Sequence, residues 1–191
     1  MKKYCKQKYC SDNYHLWNEF VAHAKNATFL FHRDFMEYHS DRFQDFSLLI
    51  FDEKNTLKAI LPANRVEDVL HSHQGLTYGG LILNQNSKMQ DVVEMMHSLL
   101  KFLNENAILS FNLKQLPTIY HESPSDEMEY LMFLMQGNLI RRDVLSVVDL
   151  KTNFSFSRDR KNGIKRGVKN DIIVKEESNF ELFWNEILIP N

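Results

Sequence analysis

Between Ser87 and Asn106 the apolar residues Met89, Val92, Val93, Met96, Leu99, Leu100 and Leu103 return every three or four positions. That is the period at which an α-helix turns one face inward. Ser87 and Gln90 have the spacing of a capping box, in which each side chain satisfies an open amide of the first turn, and so predict where this helix begins. An earlier stripe of Leu16, Trp17, Phe20, Val21 and Ala24 follows Ser11-Asp12-Asn13, a group of good N-cap residues, and predicts another helix. A short helix is expected over 33–42.

The pattern changes over 46–51 (FSLLIF) and 56–61 (TLKAIL), two short apolar runs around the polar turn Asp52-Glu53-Lys54-Asn55. This is the signature of a β-hairpin, and Pro62 closes its second strand. Further strands are expected over 76–83, interrupted by Gly79-Gly80, over 107–113, and over 139–150, which contains Arg141-Arg142. A helix over 125–135 lies between the last two and stops at Gly137, a favoured C-terminal residue. Early antiparallel pairing followed by strand–helix alternation predicts a mixed α/β (α+β) fold, its sheet largely antiparallel and flanked by helices.

Charge changes the picture only near the end. The formal net charge is −2, yet 158–170 (RDRKNGIKRGVKN) carries six basic residues against Asp159 alone, a local net of +5. A helix is expected here, with its glycines as weak points and with Arg160, Lys161, Lys165 and Lys169 broadly on one face. It suits three roles: a solvated connector, a phosphate grip for a nucleotide-linked precursor or tRNA, or a nucleic-acid patch. No aromatic residue interrupts it, which argues against single-strand recognition. Beyond it, 171–175 reads as a short strand. Ser178 and Glu181 then cap a last helix with Phe180, Phe183, Trp184, Ile187 and Leu188 on one face. That face needs a covering surface, and a second copy of the chain would provide one.

Composition excludes some classes. A hydrophobic content of 43% with 14 Phe and 7 Tyr fills a core and argues against general disorder. A pI near 6.4 gives no global attraction for nucleic acid or an anionic membrane. No apolar run reaches the ~18 residues of a spanning helix, and no signal-peptide stretch follows the basic start, so membrane insertion is not expected and a cytoplasmic setting is. Cys5 and Cys10 read as free thiols; a small disulfide loop and half of a metal site are the alternatives. His71 and His73 could share one side of a strand as metal pairs do, but no third ligand is evident and no metal site is expected.

The segments 29–35 (FLFHRDF), 60–63 (ILPA), 75–80 (GLTYGG) and 147–150 (VVDL), the basic run through Gly167-Val168 and the helix with Phe180 to Trp184 together resemble Fem-type aminoacyltransferases. These form the FemAB group of the GNAT acyltransferase superfamily, and the match runs in the family's order over nearly the whole chain. The resemblance implies a bacterial protein with two GNAT-like units joined by a basic segment: an acceptor-side unit over 1–152, then a connector and the opening of a second unit over 153–191. It implies acyl or aminoacyl transfer to an amine of a cell-envelope precursor. The alternative is a recognition module that keeps the fold without catalysis.

An acyl-CoA loop of the superfamily needs small residues before a helix so that backbone amides reach the pyrophosphate. The corresponding stretch 83–89 (LNQNSKM) begins the pattern at Gln85 but contains no glycine, with Lys88 and Gln90 where small residues belong. No cofactor is therefore expected on this chain, and the donor, acyl-CoA or aminoacyl-tRNA, is expected on the second unit. Direct attack by an amine requires positioning, an oxyanion donor and a proton acceptor, with no covalent enzyme intermediate. No catalytic residue is identifiable. His32, Arg33, Asp34 and His39 are candidate acceptor contacts, each with a structural alternative. Tyr78 is a candidate through its hydroxyl, because glycines in a strand mark a close backbone or ligand approach. Arg160, Lys161 and Lys165 complete the candidate set.

Overall fold

The computed structural model describes residues 3–190, and of His39 the backbone alone. The fold is mixed α/β, and the chain divides into two compact units, Met1–Ile140 and Arg141–Asn191. Segment 141–152 thus groups with the C-terminal unit.

The hairpin forms as its pattern predicts. Strand β2 (Leu48–Phe51) pairs antiparallel with β3 (Leu57–Leu61). Asp52 Oδ1 accepts from the Lys54 and Thr56 amides at 2.9 Å each, and Asn55 takes a left-handed φ of 57°, a conformation Asn tolerates well. Side chains alternate across a strand, and β2 is buried on both faces. Leu48 and Ile50 join one core cluster with Val92, Met95 and Leu99, whereas Leu49 and Phe51 join another with Trp17, Val21 and Phe31. The sheet is thus packed between helix α3 (Met89–Glu105) and helix α1 (Tyr14–His23).

Strand β1 (Cys5–Lys8) extends this sheet on the other side of β2, with Cys5 opposite Phe51 and Lys8 opposite Leu48. Its CKQK sequence offers no apolar alternation. It is an edge strand, where lysines discourage unwanted pairing, and Lys8 Nζ sits 4.2 Å from the centre of the Phe46 ring.

Two short strands follow β3, namely β4 (Asn64–Val66) and β5 (Val69–His71), joined by a tight turn with Glu67 at φ 52°. The expected strand over 76–83 shrinks to β6 (Ile82–Leu83), which completes the first sheet in the order β1-β2-β3-β6. Strand β7 (Ser110–Asn112) lies parallel to β5 in a second sheet, β4-β5-β7. Ladder pairing for β5 ends at His71, and His73 adopts φ 63°, so the two histidines do not share a strand face.

Helix α3 buries Val92, Met95, Met96, Leu99 and Leu103, while Leu100 remains 39% exposed. Its start differs from the predicted capping box. Lys88 is the N-cap residue, its amide donating to Asp91 Oδ2 at 3.4 Å, and Ser87 Oγ donates instead to Asn84 Oδ1 at 2.7 Å. Helix α2 is shorter than expected, Arg33–Met36, with a 3-10 turn over Glu37–His39. Helix α4 (Glu127–Leu134) ends with Gln136, rather than Gly137, in the left-handed region (φ 53°), and the Gly137 amide donates to the Met132 carbonyl at 2.8 Å.

In the C-terminal unit the basic segment forms helix α5 (Arg158–Lys169), capped by Ser157, whose Oγ accepts from the Arg160 amide at 3.4 Å. The strands expected over 139–150 and 171–175 do not form: these residues have no ladder partner, and a strand is only as stable as the neighbour that takes its amides and carbonyls. The last helix, α6 (Glu181–Phe183), is a single turn continued by a π turn over Trp184–Leu188. Asn179 Oδ1, not the Ser178 side chain, accepts from the Glu181 amide at 3.0 Å. No helix among the described residues is long and apolar enough to cross a membrane.

Candidate functional site

The Gly79-Gly80 pair lies against Ser72. The Ser72 amide donates to the Asn112 carbonyl at 2.9 Å, Ser72 Oγ accepts from the Lys114 amide at 2.8 Å, and the Gly79 amide donates to the Lys114 carbonyl at 2.6 Å. A Cβ on Gly79 would stand 2.0 Å from the Ser72 carbonyl oxygen, so the close approach inferred from the sequence is one of backbone to backbone. Gly80 turns the chain at φ 103°, a conformation costly for residues with a Cβ.

This crossing leaves a recess of about 20 Å³ between the glycines, the 115–121 loop and helix α4. A cavity needs roughly 10–15 Å³ to admit one water-sized group, so the recess has room for a single small polar head. Two of its polar walls are already committed. Asn26 donates through Nδ2 to the Leu81 carbonyl at 2.9 Å and accepts at Oδ1 from the Leu83 amide at 2.7 Å. Ser125 Oγ donates to Glu127 Oε2 at 2.7 Å. Glu127 also pairs with the buried Lys25 ammonium. Burial pushes the Glu127 carboxyl up, but the Lys25 and Ser125 hydrogen bonds outweigh it and hold the group below the usual glutamate range.

His121 is different. The backbone brings it here through a 3-10 turn over Thr118–Tyr120, and the Glu122 amide donates to the Lys25 carbonyl at 2.9 Å. Nε2 lies 3.2 Å from the Leu116 carbonyl oxygen. A carbonyl only accepts, so Nε2 carries the proton, and a neutral ring then presents a lone pair at Nδ1. Nδ1 is buried and has no hydrogen-bond partner in the protein. The Tyr78 and Tyr120 rings meet beside this loop, their centroids 5.9 Å apart.

Arg33 belongs to another cleft, an open one of about 470 Å³ bounded by Tyr9, Tyr14, Arg33, Glu37 and Asp45. Only 3% exposed, Arg33 binds Glu37 Oε1 at 2.5 Å, Asp45 Oδ2 at 2.6 Å and Ser47 Oγ at 3.3 Å. Its guanidinium also stacks 3.6 Å from the Tyr9 ring centre. The side chain brackets α2 to the start of the first sheet. Burial raises the Tyr9 hydroxyl pKa, and the hydrogen bond to Asp34 (2.6 Å) raises that of Tyr14.

His32 caps α2 through its carbonyl, which accepts from the Phe35 and Met36 amides at 3.1 Å. The His39 side chain lies outside the described residues. Arg160, Lys161 and Lys165 are exposed on α5 in the other unit. At about 100° per residue, Lys161, Lys165, Lys169 and Arg158 form one stripe, and Arg160 points about 140° away from Lys165. The face assigned from the sequence therefore changes by one member, with Arg158 in place of Arg160. Among the described residues no three His, Cys, Asp or Glu side chains gather as metal ligands do.

None of the predicted contacts lines the recess; Tyr78 immediately precedes the wall residue Gly79 and packs against the second core cluster. Gln115, Thr118, His121 and Ser125 were not legible, because the loop carrying them has no periodicity and is brought to Gly79 only by the β7 pairing. No model of a known protein family matches the chain, and comparison with curated proteins finds no match.

Proposed function

We propose that the N-terminal unit is the acceptor-side part of an acyl- or aminoacyltransferase of the FemAB type, and that the recess beside Gly79-Gly80 seats the acceptor's amine. The observation that carries this reading is the size and chemistry of the recess: about 20 Å³, walled by glycine backbone and by amide, hydroxyl and imidazole groups. An amino group is of that size, and the Gly79-Gly80 backbone lets the substrate lie close. The acceptor is an amine of a cell-envelope precursor, met in the cytoplasm. The donor is an acyl thioester or an aminoacyl-tRNA ester held by residues other than these, and the exposed α5 stripe is the surface for the phosphates of the precursor or the tRNA. Phe183 and Trp184 serve a second copy of the chain as a contact.

The turn between β6 and α3 favours a second reading, a recognition module without catalysis. Asn84 and Ser87 close that turn on themselves, and it has no glycine to admit a pyrophosphate. Incubating the protein with a labelled acyl thioester or aminoacyl-tRNA and a peptide bearing a free primary amine decides between them. Label transfer to the amine supports the transferase. Saturable peptide binding without transfer supports the module, and the absence of both transfer and binding overturns both readings.

A further inference from the structure

We infer that His121 is the proton acceptor of this site, bound to the amine through Nδ1; the inference rests on the amine-seating reading of the recess. An amine attacks only when its lone pair is free, so a neighbouring base must take its proton. Three features of His121 fit that task. Its tautomer is fixed, since the bond from Nε2 to Leu116 assigns the ring proton to the far nitrogen. Its Nδ1 is buried and unpartnered, a state that is unfavourable in a finished core unless a ligand completes it. Finally, the ring lines the one-atom recess.

Nearby polar groups are already committed to partners of their own. Asn26 uses both ends of its amide, Ser125 donates to Glu127, and Glu127 is tied to Lys25. Glu129, the remaining titratable wall residue, is exposed on α4, and the exposed Glu105 at the end of α3, which is not a wall residue, serves as the control below.

The step balances with a thioester or ester donor. The amine nitrogen bonds to the acyl carbon and passes one proton to His121 Nδ1. The C–S or C–O bond breaks, and the leaving thiolate or alkoxide departs with the electron pair and takes that proton back. Nε2 keeps its bond to Leu116 throughout, so the ring need not flip.

The test uses the ¹⁵N-labelled chain with methylammonium chloride as probe, reading the His121 ring by long-range ¹H–¹⁵N correlation. Without probe, Nε2 should resonate as a protonated nitrogen and Nδ1 as an unprotonated one. With probe, Nδ1 should shift as it accepts a hydrogen bond, together with the Gly79, Gly80 and Gln115 amides. His121→Gln retains a donor for Leu116 but has no ring nitrogen at the Nδ1 position, and should weaken methylammonium binding about threefold to tenfold, the worth of one hydrogen bond; Glu105→Gln should leave it unchanged. A proton found on Nδ1, or a silent His121 ring while the glycine amides respond, overturns the inference and leaves the recess reading intact. If no recess amide responds, the amine-seating reading falls and the inference with it. Should His121→Gln not fold, the wild-type ring spectrum decides alone.

Discussion

A methyl group at position 79 and one at position 163 have opposite consequences, although both replace glycine. At Gly79 the added carbon meets the Ser72 carbonyl at 2.0 Å. Gly79→Ala is therefore expected to cost about 3 kcal/mol, the upper range for forced overpacking, measured as a lower urea midpoint. At Gly163 nothing lies within 4 Å, so Gly163→Ala should favour α5 by about 1 kcal/mol, visible as increased far-ultraviolet helicity. The two glycines look alike in the sequence; only the neighbour's position separates them. Arg33 makes a similar point. Its residue type and motif suggested contact with a ligand, and burial commits its donors to Glu37, Asp45 and Ser47. His121 carried no signal at all, because its meaning lies in a carbonyl five residues away and a glycine pair some forty residues earlier.

Elements are joined by pairs of this kind, and the Lys25–Glu127 bridge is the most consequential. It ties the chain just after α1 to the first turn of α4, with Lys25 4% exposed. Lys25→Met strands the Glu127 carboxylate and is expected to cost about 3 kcal/mol, as breaking a buried pair does, measured by denaturant unfolding at pH 7. The pH dependence has a definite sign. The folded state depresses the Glu127 pKa, so its contribution is complete above the unfolded value of about 4.3. That contribution is lost as the pH falls through the folded value. Glu127→Gln should thus be less stable than wild type at neutral pH, with the gap closing below about pH 4. At this scale the hairpin and α3 were legible, since apolar period and turn residues act locally. Segment 139–150 was not: its apolar residues suit a strand, but no strand lies beside it to pair with.

Both core clusters are built from residues of the N-terminal unit, from Tyr4 to Met132. No described residue of the C-terminal unit is buried. Ending the chain after Ile140 is accordingly expected to leave the main unfolding midpoint unchanged, as followed by Trp17 fluorescence, which requires Trp184 to be replaced in the full-length reference. Limited proteolysis should cut first within 141–157. What the sequence by itself determined is whatever depends on near neighbours: the mixed α/β class, the hairpin turn, the inward face of α3 and the basic helix α5. Tertiary structure alone decided which strands found partners, why Gly79 must be glycine, that Arg33 is enclosed, and that a histidine with a buried, unpartnered Nδ1 lines a one-atom recess. Those outcomes depend on contacts between residues distant in the chain, and no local period encodes which backbone will cross which.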